Sequence, residues 1–291
     1  MTDRHGPDVG QGDDAAGAPR RALALRHLLL ALQFFTRIPV TGRLAAWVGY
    51  SPAMLRASAV WFPLVGAVVG AWAGAVLAAA LALLPAQPAA AWVAAGLTLM
   101  ASAWLTGAFH EDGWADTCDA LGGHVPRERA LAIMKDSRIG SYGALALALM
   151  ALLQAALLAL LAQALGAAAA AALLVAAHVA SRLAPLVVMR TLPYVGEADG
   201  RKAKPLADAI DDRALAWAGV QTVSLLTALA ALVPLAAPVW GGALALAALA
   251  TWRVRAWLAR RLQGFTGDAL GATQQVVLAA FLLGAALGAR G

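Results

Sequence analysis

The sequence predicts an all-α fold: a polytopic integral membrane helical bundle of about seven transmembrane helices, with an N-terminal interfacial or re-entrant segment. Three observations carry that expectation. Of 291 residues, 62% are hydrophobic and only 13% charged, against about 25% charged in soluble domains. The apolar residues gather into runs of about 20, the length that crosses ~30 Å of hydrocarbon. Finally, 21 of the 22 Lys and Arg residues fall on one side of an alternating seven-span arrangement, and basic loops stay in the cytoplasm.

The elements follow in chain order. Residues 1–22 hold no apolar run and read as a disordered cytoplasmic tail. Residues 23–291 read as a single membrane-embedded catalytic domain. Its first segment, 23–35, is apolar but carries Arg26 and His27, which suits the interface. Spans are expected near 57–84, 89–109, 142–164, 167–189, 214–234 and 269–288. The stretch 238–252 is short, covering roughly 22 Å at about 1.5 Å per residue. Continuation into 253–258, with Arg253 and Arg255 snorkelling, completes it. Without that span the basic residues of 253–261 would fall on the wrong side. Trp61, Trp92, Trp104, Trp217, Trp240 and Trp252 lie near the proposed span ends, where amphipathic rings anchor. The net charge of +6 thus reflects orientation in the bilayer, not nucleic-acid binding. A single cysteine, Cys118, excludes an internal disulfide framework and a multi-cysteine metal site.

All 16 acidic residues also lie on the cytoplasmic side. Four of them, Glu111, Asp112, Asp116 and Asp119, crowd into G-A-F-H-E-D-G-W-A-D-T-C-D-A-L-G-G, directly after an apolar span. A carboxylate at the bilayer centre costs about 2.5–3.5 kcal/mol, so the segment belongs at the cytoplasmic mouth of the bundle or in a wet cavity. Asp112, Asp116 and Asp119 are spaced i, i+4, i+7, which stacks them within about 60° on one helical face. Glu111 flanks that face. Stacked carboxylates repel, and a divalent cation relieves the repulsion; oxygen-only ligation selects Mg²⁺, Mn²⁺ or Ca²⁺ over zinc. A solvated acidic loop is the alternative, but it needs neither one-face spacing nor the nearby Gly107, Gly113, Gly122 and Gly123.

Four further polar islands accompany this one. Lys135, Asp136 and Arg138 cluster in M-K-D-S-R-I-G-S-Y-G; basic groups near a metal suit phosphate, though Lys135 and Arg138 also read as positive-inside anchors. Arg182 lies well inside an apolar run and requires a carboxylate or ligand partner, or else snorkels. Asp268, in G-F-T-G-D-A-L-G, opens the last span with Thr266 as a candidate N-cap. Arg37 precedes a proline break in L-Q-F-F-T-R-I-P-V and can face a cytoplasmic cavity. His178 reads as a packed or hydrogen-bonded residue.

Together these pieces resemble the cobalamin synthase family, the adenosylcobinamide-GDP ribazoletransferases. The matching pieces are L-Q-F-F-T-R-I-P (32–39), F-P-L-V-G (62–66), H-E-D-G-W-A-D-T-C-D-A-L-G-G (110–123), A-L-A-I-M-K-D-S-R-I-G-S-Y-G (130–143), S-R-L-A-P (181–185) and T-G-D-A-L-G-A (266–272). The block 110–143 is the specific part. Trp114 and Cys118 stand where the family commonly has small residues. The resemblance implies a Mg²⁺-dependent transferase of the bacterial inner membrane, its active site facing the cytoplasm. Its small-molecule substrates would be adenosylcobinamide-GDP and alpha-ribazole or its 5′-phosphate, with GMP released. It further implies that Glu111, Asp112, Asp116 and Asp119 supply catalytic and metal-binding groups, and that Arg37, Lys135, Asp136, Arg138, Arg182 and Asp268 contact substrate. The motif D-G-x-x-D-x-x-D is also similar to that of CDP-alcohol phosphotransferases acting on lipid, but Asp116 stands where those carry another pattern. A cation-coupled transporter would instead place its acids at the midplane with repeat symmetry.

Overall fold

The computed structural model describes residues 20–196 and 210–290. Described residues form helices α1 (Arg20–Phe35), α2 (Gly42–Val48), α3 (Pro52–Ser58), α4 (Phe62–Leu83), α5 (Pro88–Thr106), α6 (Phe109–Leu121), α7 (Arg127–Ile133), α8 (Ser141–Leu165), α9 (Ala167–Thr191), α10 (Asp212–Leu232), α11 (Ala237–Arg261) and α12 (Gly267–Gly288). One isolated bridge, Tyr194 with Phe265, ties the loop after α9 to the start of α12. The tail expected over 1–22 lies outside the described residues up to 19; positions 20–22 form the first turn of α1.

Six of these helical stretches are long and apolar enough to cross a membrane: 52–83, which joins α3 to α4, then α5, α8, α9, α10 and α12. The seventh expected span is α11. The short apolar stretch 238–252 is only part of a 25-residue helix, about 37 Å long. Helix propensity, strong for Arg, Ala and Leu, carries it beyond the point where hydrophobicity stops.

Local chemistry sets the helix ends. Asp211 accepts the Ala214 N–H (2.7 Å) and Thr266 the Ala269 N–H (3.3 Å), each satisfying an orphan donor of a first turn. Pro88 is the first residue of α5 and Pro238 the second of α11, first-turn positions that need no backbone donor. Two helices form the centre: 78% of the most apolar window of α9 and 67% of that of α12 are buried, against 11% for α10. α10 is therefore a lipid-facing helix, and α12 is the hub, packed on α6, α8, α9 and α11. Glycines make the α11–α12 seam possible: a Cβ on Gly242, Gly284 or Gly288 would collide with the facing backbone.

The basic segments meet at one end of the bundle. Arg190 at the end of α9 pairs with Asp212 at the start of α10 (2.7 Å), and Arg255 donates to Thr191 (3.2 Å). Arg261 donates to the carbonyls of Leu121 (3.2 Å) and Gly123 (2.9 Å), while Arg127 donates to that of Leu262 (2.6 Å). α6 is thereby clamped to the basic end of α11.

Candidate active site

The site begins with a break in the chain. Gly107 (φ 66°) and Ala108 (φ 57°) are both left-handed, so α5 ends at Thr106, three residues before the expected limit of that span. The conformation costs Ala108 roughly 1–2 kcal/mol. The turn redirects the acidic segment into a separate helix, α6, against α12. Asp112, Asp116 and Asp119 therefore share a helical face, as their spacing predicts. Arg37 is held over the turn: its N–H donates to the Leu105 carbonyl (2.7 Å), and a Cβ on Gly107 would lie 3.3 Å from its Nε.

α12 then brings in a fourth carboxylate. A Cβ on Gly113 would lie 2.7 Å from the Asp268 carbonyl oxygen, and one on Gly271 would lie 3.2 Å from that of His110. Two glycines thus let α6 and the first turn of α12 touch backbone to backbone. Gly122 serves similar packing: a Cβ there would meet the Tyr142 ring at 2.8 Å. The consequence is electrostatic. Burial, followed by the charges of Asp268, Asp112 and Asp119, pushes the Asp116 carboxyl up to about 7.

Asp119 has a separate occupation. Its Oδ2 accepts the Gly140 N–H (2.7 Å) and its Oδ1 the Gly143 N–H (2.8 Å). It caps the start of α8 across 21 residues of sequence, and both glycines are needed because a Cβ would strike the carboxylate. The same loop presents Lys135, exposed, and Arg138, whose guanidinium grips Asp136 with Nε to Oδ1 at 2.9 Å and Nη2 to Oδ2 at 2.6 Å. Hydrogen bonding to Arg138 holds the Asp136 carboxyl down at about 2.

Glu111 turns the other way. It lines a cavity of about 280 Å³ inside the bundle, shared with His178, Gln154 and Gln275. Gln154 Nε2 donates to Gln275 Oε1 (2.8 Å), while Glu111 Oε2 is buried with no partner. Burial raises the Glu111 carboxyl, against the pull of Arg182 and a hydrogen bond to Gln275. Arg182 is 3% exposed, with Nη1 2.9 Å from His178 Nδ1 and donating to the His178 carbonyl (3.2 Å). The intramembrane arginine thus has the carboxylate neighbour and the hydrogen-bonded histidine that its burial requires. Glu111 belongs to this interior group, away from the Asp112–Asp116 face.

An aromatic pocket beside Asp268, formed by Phe34, Phe35, Phe62 and Phe109 with the tip of α12, has no counterpart in the reading of the sequence. Its only advance signal is the density of phenylalanine in 34–35, 62 and 109.

A magnesium ion fits this donor set. Among the described residues no three His, Cys, Asp or Glu side chains converge into a ready-made metal site. Magnesium needs no such cage, since one or two carboxylates plus waters and substrate phosphates suffice. The crowding that raises Asp116 is the repulsion a divalent cation would relieve.

The chain matches the family model for cobalamin-5-phosphate synthase over residues 27–286. It is 52% identical over 276 residues to the adenosylcobinamide-GDP ribazoletransferase of Albidiferax ferrireducens, covering 91% of this chain and 98% of that one. The corresponding protein of Polaromonas naphthalenivorans is 51% identical, covering 90% and 98%, and that of Vibrio cholerae is 38% identical, covering 87% and 90%. No solved structure matches significantly. Agreement that extends from α1 to the end of α12, including the acidic helix and the capped start of α12, makes this chain a member of the cobalamin-5-phosphate synthase family.

Proposed function

We propose that the chain joins adenosylcobinamide-GDP to alpha-ribazole or its 5′-phosphate and releases GMP, at a site on the cytoplasmic face of a bacterial inner membrane. The observation that carries this is the pole of carboxylates where Asp268 meets Asp112 and Asp116 through the Gly113 and Gly271 contacts. A ribose hydroxyl oxygen bonds to the phosphorus on the cobinamide side of the pyrophosphate. The bond from that phosphorus to the bridging oxygen breaks, and GMP departs with the bridging oxygen. The hydroxyl proton passes to a carboxylate of the pole that does not hold the metal. Arg37, beside the turn that precedes α6, and Lys135, exposed on the loop that precedes α8, bind the phosphates. Arg138 is held by Asp136 and positions the loop. Magnesium, bound by Asp112 and Asp116, supplies charge neutralisation on the pyrophosphate and the leaving GMP.

The test is product release from purified full-length chain in lipid nanodiscs. GMP should appear only when adenosylcobinamide-GDP and alpha-ribazole are both present. Acceptor-independent turnover, or CMP release from a CDP-alcohol instead, would overturn the assignment.

A further inference from the structure

We propose that the aromatic pocket beside the carboxylate pole is the subsite for the acceptor's base, and that it takes a flat, apolar bicyclic heterocycle carrying one bare ring nitrogen, the chemistry of a benzimidazole nucleoside. The inference rests on the transferase reading above and assigns the part of the site that selects the acceptor.

Six benzene rings from α1, α4, α6 and the paired loops line the pocket, those of Phe34, Phe35, Phe62, Phe109, Tyr194 and Phe265, together with the His110 imidazole stacked on Phe35. The benzene rings already pack edge to face, with ring centroids 4.6 Å apart for Phe35 and Phe62 and 5.5 Å for Phe34 and Phe109. Such walls favour a planar aromatic guest, which can slot between rings in the same geometry. The pocket is about 60 Å³ as it stands. Phe109, 42% exposed, is the least buried ring of the wall, so admitting a bicyclic guest requires it to move.

The polar groups of the wall are Arg182, the His110 imidazole and the Tyr194 hydroxyl. Arg182 lines the pocket, is 3% exposed, and keeps a buried Nε–H with no hydrogen-bond partner. A buried orphan donor costs about 1–3 kcal/mol, so an acceptor atom on the guest is favoured. Benzimidazole linked to ribose through one nitrogen offers one in-plane acceptor, the other nitrogen. Guanine would bring a carbonyl, a ring N–H and an amino group into mostly apolar walls, leaving several polar groups unpaired. Position agrees. Gly267 and Gly271, on either side of Asp268, also line the pocket, so a base seated there holds its ribose next to the carboxylate pole where the hydroxyl must attack.

The experiment uses the full chain in nanodiscs with alpha-ribazole as acceptor. Phe109→Ala should raise the KM for alpha-ribazole about tenfold, the scale of one aromatic contact, and leave the KM for adenosylcobinamide-GDP unchanged. The wild-type protein should use a ribosylindole of matched shape, whose bare nitrogen is replaced by CH, at least about tenfold less efficiently than a ribosylbenzimidazole. That comparison needs no variant, so folding does not enter. An unchanged acceptor KM, a rise in the KM for adenosylcobinamide-GDP instead, or equal use of the two ribosides would overturn the proposal. If no GMP were released at all, the transferase reading would fail. Equilibrium dialysis of alpha-ribazole against wild type and Phe109→Ala would then decide the pocket separately, with equal retention counting against it.

Discussion

Asp112 and Asp119 are seven residues apart on one helix, yet the structure gives them different work. Asp119 spends its carboxylate on two backbone N–H groups, while Asp112 is exposed at the pole. Replacing Asp112 or Asp116 by Asn should lower turnover by orders of magnitude, since charge stabilisation at the phosphates is worth several kcal/mol. Asp119→Asn should cost less activity and more stability, about 1 kcal/mol for a weakened cap. Steady-state kinetics and thermal melts on the three variants check this; equal loss of turnover in all three would place Asp119 in the chemistry. The Asp116 carboxyl adds a pH dependence. It sits at about 7, above its ordinary value, so below that pH the folded protein holds a proton that magnesium must displace. Magnesium affinity should therefore rise with pH up to about 7 and level off above it. Titrations at pH 6, 7 and 8 measure it, and a flat profile would disconnect Asp116 from the ion.

At the scale of elements, the close approach of α6 and α12 is the sensitive contact. Gly113→Ala would set a methyl against the Asp268 backbone, pushing the fourth carboxylate away from the pole. Turnover should fall at least about tenfold, a scale set by small misplacement in positioned sites, while the protein still inserts and purifies. Full activity in Gly113→Ala would show that Asp268 need not touch the pole. These elements also mark what can be read from sequence. The i, i+4, i+7 spacing made the acidic face of α6 legible, and the Thr266 cap followed from residue type. The turn of Glu111 toward Arg182 was not legible, because a helical wheel gives an angle but not the neighbour that fills it. The hold on Asp119 was hidden for a related reason: its partners are backbone N–H groups in a loop more than 20 residues away. The continuation of α11 beyond 252 was legible from the snorkelling arginines, and the helix runs three residues past the expected 258, to Arg261.

For the whole molecule, the bundle has a basic, polar end and an opposite end closed by glycine seams. The clamps from Arg261 to Leu121 and Gly123 and from Arg127 to Leu262 put the α6–α7 loop and the end of α11 on the same side. Reporter fusions after residues 125 and 262 should both read cytoplasmic, as the basic loops require. A periplasmic reading at 262 alone would remove α11 from the spans, and one at 125 would invert the protein.

The hub position of α12 carries a consequence for biogenesis. This helix is synthesised after all the other described ones, and it brings Asp268, Gly271 and Gln275 together. Until it enters the membrane, Gln154 lacks its hydrogen-bonding partner on Gln275, and α6 packs on α8 but lacks its larger contact, with α12. A nascent chain can therefore be fully threaded through its earlier spans and still have no carboxylate pole. Arrival of the last helix therefore acts as a single assembly step, coupling completion of the bundle to the first appearance of the full set of carboxylates.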